Sequence, residues 1–196
     1  MRSVAEAEAE VARILDDLNS AGEGVFQYLQ QPSSKDFEAV GAIVQGFAYA
    51  DLNGRRALEI IAHINGQQPR AVNTAYRDGE VLPTLLARLD RIPLDSDEQK
   101  QCRTALSMLI SFSSTRHLLA HWAVRRHRDH DALVALTMNE REAFRRAKHE
   151  PEPFKGSIAV IPMPEVRANV PVMAGNVDYL ASRVSEWWVK FITAKT

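Results

Sequence analysis

DSDEQKQCRTALSMLISFSSTRHLLAHWAVRRH, residues 95–127, is the stretch whose reading decides the fold. It opens on a helix start signal: Ser96 can cap the first turn while Gln99 reaches back, and Asp95, Asp97 and Glu98 place negative charge where the helix dipole favours it. Beyond the cap, Cys102, Ala105, Leu109, Phe112, Arg116, Ala120 and Ala123 recur in steps of three and four, the spacing of one helical face. The pattern predicts one long helix from about Asp95 to about His127. Six members of that stripe are small or apolar, and Arg116 interrupts them.

The flanking sequence reads the same way. Val4, Ala7, Val11, Leu15 and Leu18 form a helical stripe in an Ala/Glu background, and Gly22 and Gly24 follow where a helix should stop. After Pro32-Ser33-Ser34, a second segment from about Lys35 to Ile64 puts Val40, Ile43, Phe47, Leu58 and Ile61 on one face. Asp51 and Gly54 sit on that face where the period calls for apolar residues. Gly66 to Gly79 is turn-rich, and Val81, Leu82, Leu85, Leu89 and Ile92 then mark a short helix that tolerates Pro83 in its first turn. Downstream, Ala132 to Met138 and Ser157 to Met163 are β-rich runs separated by a charged stretch and by Pro151 and Pro153, which predicts a small antiparallel pair. From Gly175 onward Val177, Leu180, Val184, Trp187, Trp188 and Phe191 restore the helical period. The expected architecture is mainly α: one domain over residues 1–196, an antiparallel helical bundle with a β-hairpin appendage within 130–165 and a C-terminal helix over 174–196 that packs back on the bundle.

Composition narrows the function classes. With 45% apolar and 25% charged residues the chain is of globular type. Lys and Arg number 24 against 25 Asp and Glu, a net charge of -1, so binding to nucleic acid or an anionic membrane would need a local patch. Cys102 is the one cysteine and cannot form an intramolecular disulfide; on a core stripe its default is a buried, inert thiol. Met1-Arg2-Ser3-Val4 does not lead into an apolar leader segment, and no apolar run approaches the roughly 20 residues of a spanning helix, so a cytoplasmic location without membrane insertion is expected.

Phosphate loops, nucleophile elbows, zinc-binding cysteine pairs and the His-Glu-x-x-His helix are absent. His117 and His121, four apart, could face one metal, with Asp51 as a third ligand from another helix; two ligands alone do not make a site, and the simpler reading is a pair of partly exposed histidines. Arg116 and His121 make a second pair. Five residues apart, they diverge by about 140° on an ideal helix, so a mobile arginine, a local distortion or a second copy of the helix is needed to focus them. Together they are a minimal kit for phosphodiester cleavage without metal. An imidazole, which titrates near neutrality, can remove the 2′-hydroxyl proton, and a guanidinium can stabilise the phosphorane oxygens.

In this arrangement, Arg116-His117-Leu118-Leu119-Ala120-His121 resembles the motif of the HEPN superfamily (higher eukaryotes and prokaryotes nucleotide-binding domains), helical bundles with an arginine, a short spacer and a histidine on a late long helix. The likeness covers these six residues and the helix order over roughly residues 1–128. It implies a metal-independent endoribonuclease with no cofactor, acting on RNA, often as a homodimer whose two motifs line a shared cleft, in some members with an antitoxin or regulatory partner. Carried over residue by residue, Arg116 matches the motif arginine, His121 the motif histidine, and His117 the polar position after the arginine. The alternative is a non-catalytic interaction or nucleotide-binding module in which Arg116 and Asp51, both interrupting core stripes, form a structural pair. In the catalytic reading the same Asp51 would orient Arg116.

Arg125, Arg126, His127, Arg128 and His130, with Arg141, Arg145, Arg146 and Lys148 beyond, could track an RNA backbone. Glu140 and Glu142 alternate with the later arginines, as on a solvated helix, and Phe144 is the single aromatic among them. Adjacent Trp187 and Trp188 diverge by about 100° on a helix, so either one lies at a subunit interface or a broad apolar face covers both.

Overall fold

A computed structural model of the chain describes residues 4–67, 76–77, 79–147 and 157–193. In chain order the elements are α1 (Val4–Ala21), a 3-10 helix (Gly22–Tyr28), β1 (Leu29–Gln30), α2 (Ser34–Ile64), α3 (Val81–Arg88), a 3-10 turn (Leu89–Arg91), α4 (Ser96–Ser111), α5 (Ser113–His121), β2 (Ala123–His127), β3 (Ala132–Leu136), α6 (Glu140–Ala147), β4 (Ile158–Pro162) and α7 (Met163–Phe191). The protein is mainly helical with a small antiparallel four-stranded sheet. Its residues gather into two compact units: Met1–Ala42 with Thr115–Asn169, and Ile43–Ser114 with Val170–Thr196.

The first unit is built on the sheet. Its strands run in the order β1-β2-β3-β4, each antiparallel to its neighbour. The expected pair is present as β3 and β4, with Val134 opposite Val160. The expected hairpin is nonetheless too small, because β2 and β1 extend the sheet, with Val134 also opposite Arg125 and Leu29 opposite His127. β3 lies inside, and Ala132, Leu133, Val134 and Ala135 are all buried, so both of its faces are covered. On one face Val134 and Ile158 pack with Ile14 and Leu18 of α1 and with Val25 and Leu29. Gly22, at φ 53, ends α1 in the left-handed conformation that glycine adopts without a Cβ penalty, and the chain turns back toward β1.

The single helix expected over 95–127 is not formed. It stops after Ser111, restarts as α5, and gives way to β2 at Ala123. Two physical causes oppose continuation. Ser111, Ser113, Ser114 and Thr115 crowd the break with side chains that compete for backbone partners, and Ser111 Oγ donates to the Met108 carbonyl at 2.7 Å. Beyond Trp122, a helix would spread Arg125, Arg126 and Arg128 around its circumference. As a strand, 123–126 pairs its backbone with the apolar residues of β3 instead. The stripe accordingly holds only as far as Phe112: Cys102, Ala105, Leu109 and Phe112 are buried, Arg116 is half-buried, and Ala120 and Ala123 are exposed. The cap also moves by one residue. Asp95, not Ser96, is the N-cap, and its Oδ1 accepts from Asp97 N at 3.0 Å and Glu98 N at 2.9 Å.

In the second unit, α2 meets α3 at Gly54 and α7 at Gly46, where Met173 lies close, and at Arg56, whose guanidinium lies over Trp188. Gly54 is needed on the α2 stripe because α3 comes close: a Cβ there would stand 2.8 Å from Val81 Cγ1 and 3.0 Å from Leu82 Cδ2, both on buried side chains. α7 begins at Met163, well before the expected 174, and runs through an exposed Pro171. Met163 and Val166 are buried in the first unit, and Met173, Val177, Leu180, Val184 and Trp187 continue the period in the second. Burial of that face outweighs the hydrogen bond that Pro171 removes. Trp187 is buried and donates from Nε1 to Glu98 Oε1 at 2.9 Å, while Trp188 is half-buried with the Arg56 guanidinium 5.6 Å from its ring. Cys102 is buried as expected; burial pushes its thiol up, and Sγ lies 3.6 Å from the Tyr179 hydroxyl. Pro151, Pro153 and Lys148, and 68–75 of the turn-rich segment, lie outside the described residues. Among those described, no helix is long and apolar enough to cross a membrane.

Candidate functional site

α5 is a nine-residue helix that carries Arg116, His117 and His121. The i,i+4 spacing brings the two imidazoles together, with ring centroids 4.9 Å apart and planes inclined at 52°. Leu119, on the opposite side, is buried and anchors the helix, leaving His121 exposed. His117 Nε2 lies 2.8 Å from Glu142 Oε1. A carboxylate can only accept, so Nε2 bears the hydrogen of that bond, and Nδ1 is the ring's remaining nitrogen.

Glu142 itself is held from below. It sits in the first turn of α6, where Asn139 caps: the Asn139 amide oxygen accepts from Glu142 N at 3.3 Å, and its carbonyl accepts from Glu142 N and Ala143 N, each at 3.0 Å. Buried Ala143 fixes α6 to the core. The sequence pattern marks Glu142 as one charge of a solvated helix and carries no sign of its contact with His117. The spacing Asn139 to Glu142 is a cap signature, but it gives no hint of a partner 25 residues earlier in the chain.

The remaining predicted site residue, Asp51, belongs to the second unit. Its Oδ2 accepts from Arg55 Nε at 2.9 Å, and Arg55 also donates to the Tyr76 carbonyl at 3.2 Å. Thus the structure joins His117 and His121, adds Glu142, and gives Asp51 an arginine from its own helix. Arg116 precedes His117 on α5 and, five residues from His121, points to a different side. Among the described residues no group of three His, Cys, Asp or Glu side chains is arranged to hold a metal ion.

The basic cluster after the motif is divided by its strand. Arg125 is exposed, whereas Arg126 turns to the other face and donates to Asp36 Oδ1 at 2.7 Å and Asp131 Oδ1 at 2.8 Å. Arg167 also pairs with Asp131. Asp36, only 1% exposed, closes a capping box: Ser33 N and Ser33 Oγ donate to its Oδ2 at 2.8 and 2.7 Å. Burial alone would raise the Asp36 carboxyl, but the Ser33 bonds and the Arg126 charge outweigh it and hold the group below the usual carboxylate range.

His127, at the end of β2, is buried and stacks on Tyr28 at 6.2 Å, while His130 meets its ring edge-on at 4.8 Å. His127 Nδ1 accepts from Asp129 N at 3.1 Å, and His130 Nδ1 lies 3.2 Å from Glu10 Oε1. Burial pushes the His127 imidazole below its ordinary value of 6.5, and the neighbouring His130 adds to the effect, against the opposing charges of Asp129 and Asp17. The unfolded chain therefore binds the proton more readily. The neutral ring contributes its full stability above pH 6.5, and that contribution is lost as pH falls through the lower, folded-state value. Urea unfolding at pH 7.5 and 5.5 should show the wild type losing more stability than His127→Phe; equal losses would remove His127 as a source of the acid sensitivity.

No protein-family model, curated protein or solved structure matches this chain.

Proposed function

We propose that this chain is a HEPN-like, metal-independent endoribonuclease acting through Arg116 and His121 of α5. The observation that carries the reading is the contact of His117 and His121 at 4.9 Å on a solvent-facing helix, with Glu142 bound to His117. Two imidazoles side by side can work at one phosphodiester, and the adjacent guanidinium supplies charge for the phosphorane oxygens. In the reaction, neutral His121 takes the 2′-hydroxyl proton as that oxygen attacks phosphorus. The bond to the 5′ oxygen breaks and leaves a 2′,3′-cyclic phosphate. Because Arg116 and His121 diverge on one helix, a homodimer that brings a second α5 to the same phosphate completes the site in this reading. Asp51, engaged by Arg55, has no step in it.

The test is cleavage of a mixed-sequence RNA in chelator by the wild type and by His121→Ala. The expected result is cyclic-phosphate ends from the wild type and a rate at least about a hundredfold lower in the variant, the smaller end of what general acid–base groups contribute. Equal cleavage by both proteins would remove His121 from the chemistry. No cleavage by either would make the chain a non-catalytic interaction module.

A further inference from the structure

The ribonuclease reading leaves one proton unassigned: the one that the departing 5′ oxygen must take up. Resting on that reading, we propose that His117 donates this proton and that Glu142 is the residue that positions it. His117 is the imidazole nearest to His121, at 4.9 Å between centroids, and the only one of the two for which the structure shows a carboxylate contact. The 2.8 Å bond through Nε2 fixes both the ring orientation and the nitrogen that faces Glu142, so Nδ1 is the nitrogen left to serve substrate. Among the contacts the structure shows, a carboxylate orients the His117 ring and none orients His121, and this divides the two rings between the proton-donating and the proton-accepting role. The asymmetry between two otherwise identical side chains thus comes from one residue on a different helix.

The step balances. The P–O2′ bond forms as the 2′-hydroxyl proton passes to His121; the P–O5′ bond breaks as a proton passes from His117 to O5′. The products are a 2′,3′-cyclic phosphate and a 5′-hydroxyl, with His121 protonated and His117 neutral until solvent exchange resets both. Glu142 touches no reacting atom. It acts through His117, with its own position set by the Asn139 cap and by burial of Ala143 beside it.

The experiment compares pH–rate profiles and His117 ring-nitrogen NMR shifts of the wild type, Glu142→Gln and Glu142→Asp, all in chelator. In Glu142→Gln the maximal rate should fall roughly ten- to a hundredfold, part of what one acid–base group contributes, with KM unchanged. The His117 ring-nitrogen shifts should change with it, and Glu142→Asp should recover most of the lost rate. A rate that falls in Glu142→Gln and is not recovered in Glu142→Asp would overturn the proposal while leaving the ribonuclease intact. A wild type that cuts no RNA, yet whose His117 ring nitrogens respond to Glu142→Gln, would overturn the ribonuclease reading and, with it, the catalytic role given to Glu142. Ring-nitrogen shifts unchanged by Glu142→Gln would overturn the positioning itself, whether or not RNA is cut.

Discussion

Asp36→Ala is expected to destabilise the protein by about 3–5 kcal/mol, the range for removing one partner of a buried charge pair. The loss has two components. Oδ1 receives the Arg126 guanidinium at 2.7 Å, so truncation leaves that largely covered cation with Asp131 alone; Oδ2 receives Ser33 N and Oγ, so the capping box at the N-terminus of α2 loses its carboxylate half. For a chain of this size the change corresponds to a fall in Tm of roughly 6–20 °C. Thermal or urea unfolding reads it directly, and Asp36→Ala combined with Arg126→Ala should cost less than the sum of the two single changes. Strict additivity would show that the two groups do not act as a pair. The pH dependence carries the opposite end of the same signature. The Asp36 carboxyl is held below its ordinary 3.8, so the contribution is complete above that value and is lost as pH falls through the lower folded-state one.

Trp187→Ala is expected to cost about 3–5 kcal/mol as well, for a different reason. The indole is 2% exposed on the face of α7 that packs in the second unit, so alanine leaves a large cavity among side chains that relax only partly. The Nε1 donor is also lost to Glu98, whose backbone N is part of the Asp95 cap at the start of α4. Trp187→Phe, which keeps most of the volume and gives up the hydrogen bond, should cost about 1–2 kcal/mol. Trp188→Ala should cost less than Trp187→Ala, because that ring is half-buried and its cation–π contact with Arg56 is worth about 0.5–1 kcal/mol. Chemical denaturation of the three variants sets the order. If Trp188→Ala proved the more damaging change, the assignment of Trp187 as the core tryptophan would be wrong.

The contrast between the two tryptophans shows how far a helical period carries. Spacing alone places Trp187 on the stripe with Val177, Leu180 and Val184, but it does not say that Arg56, from another helix, covers its neighbour. The same holds for the charges. Arg126 in a run of basic residues looks like a patch for RNA, and only pairing with β3 turns it toward Asp36 and Asp131, ninety and five residues away in the chain.

What the amino-acid sequence determined by itself was local. The extents of α1 and α2, the short α3 with Pro83 in its first turn, the β3 and β4 runs, the burial of Cys102 and the nearness of His117 to His121 all follow from interactions between residues a few positions apart, where propensity, capping and periodicity act. Tertiary structure decided the rest. The helical stripe continues in sequence through Arg116 to Ala123, yet the chain leaves the helix because residues 123–126 pair with β3 and Arg126 and His127 with β1, and no local pattern records that gain. Glu142 reaches His117 for the same reason. Its cap is written in the three residues before it, but its partner is chosen by the packing of α6, through contacts that exist only once the chain has folded.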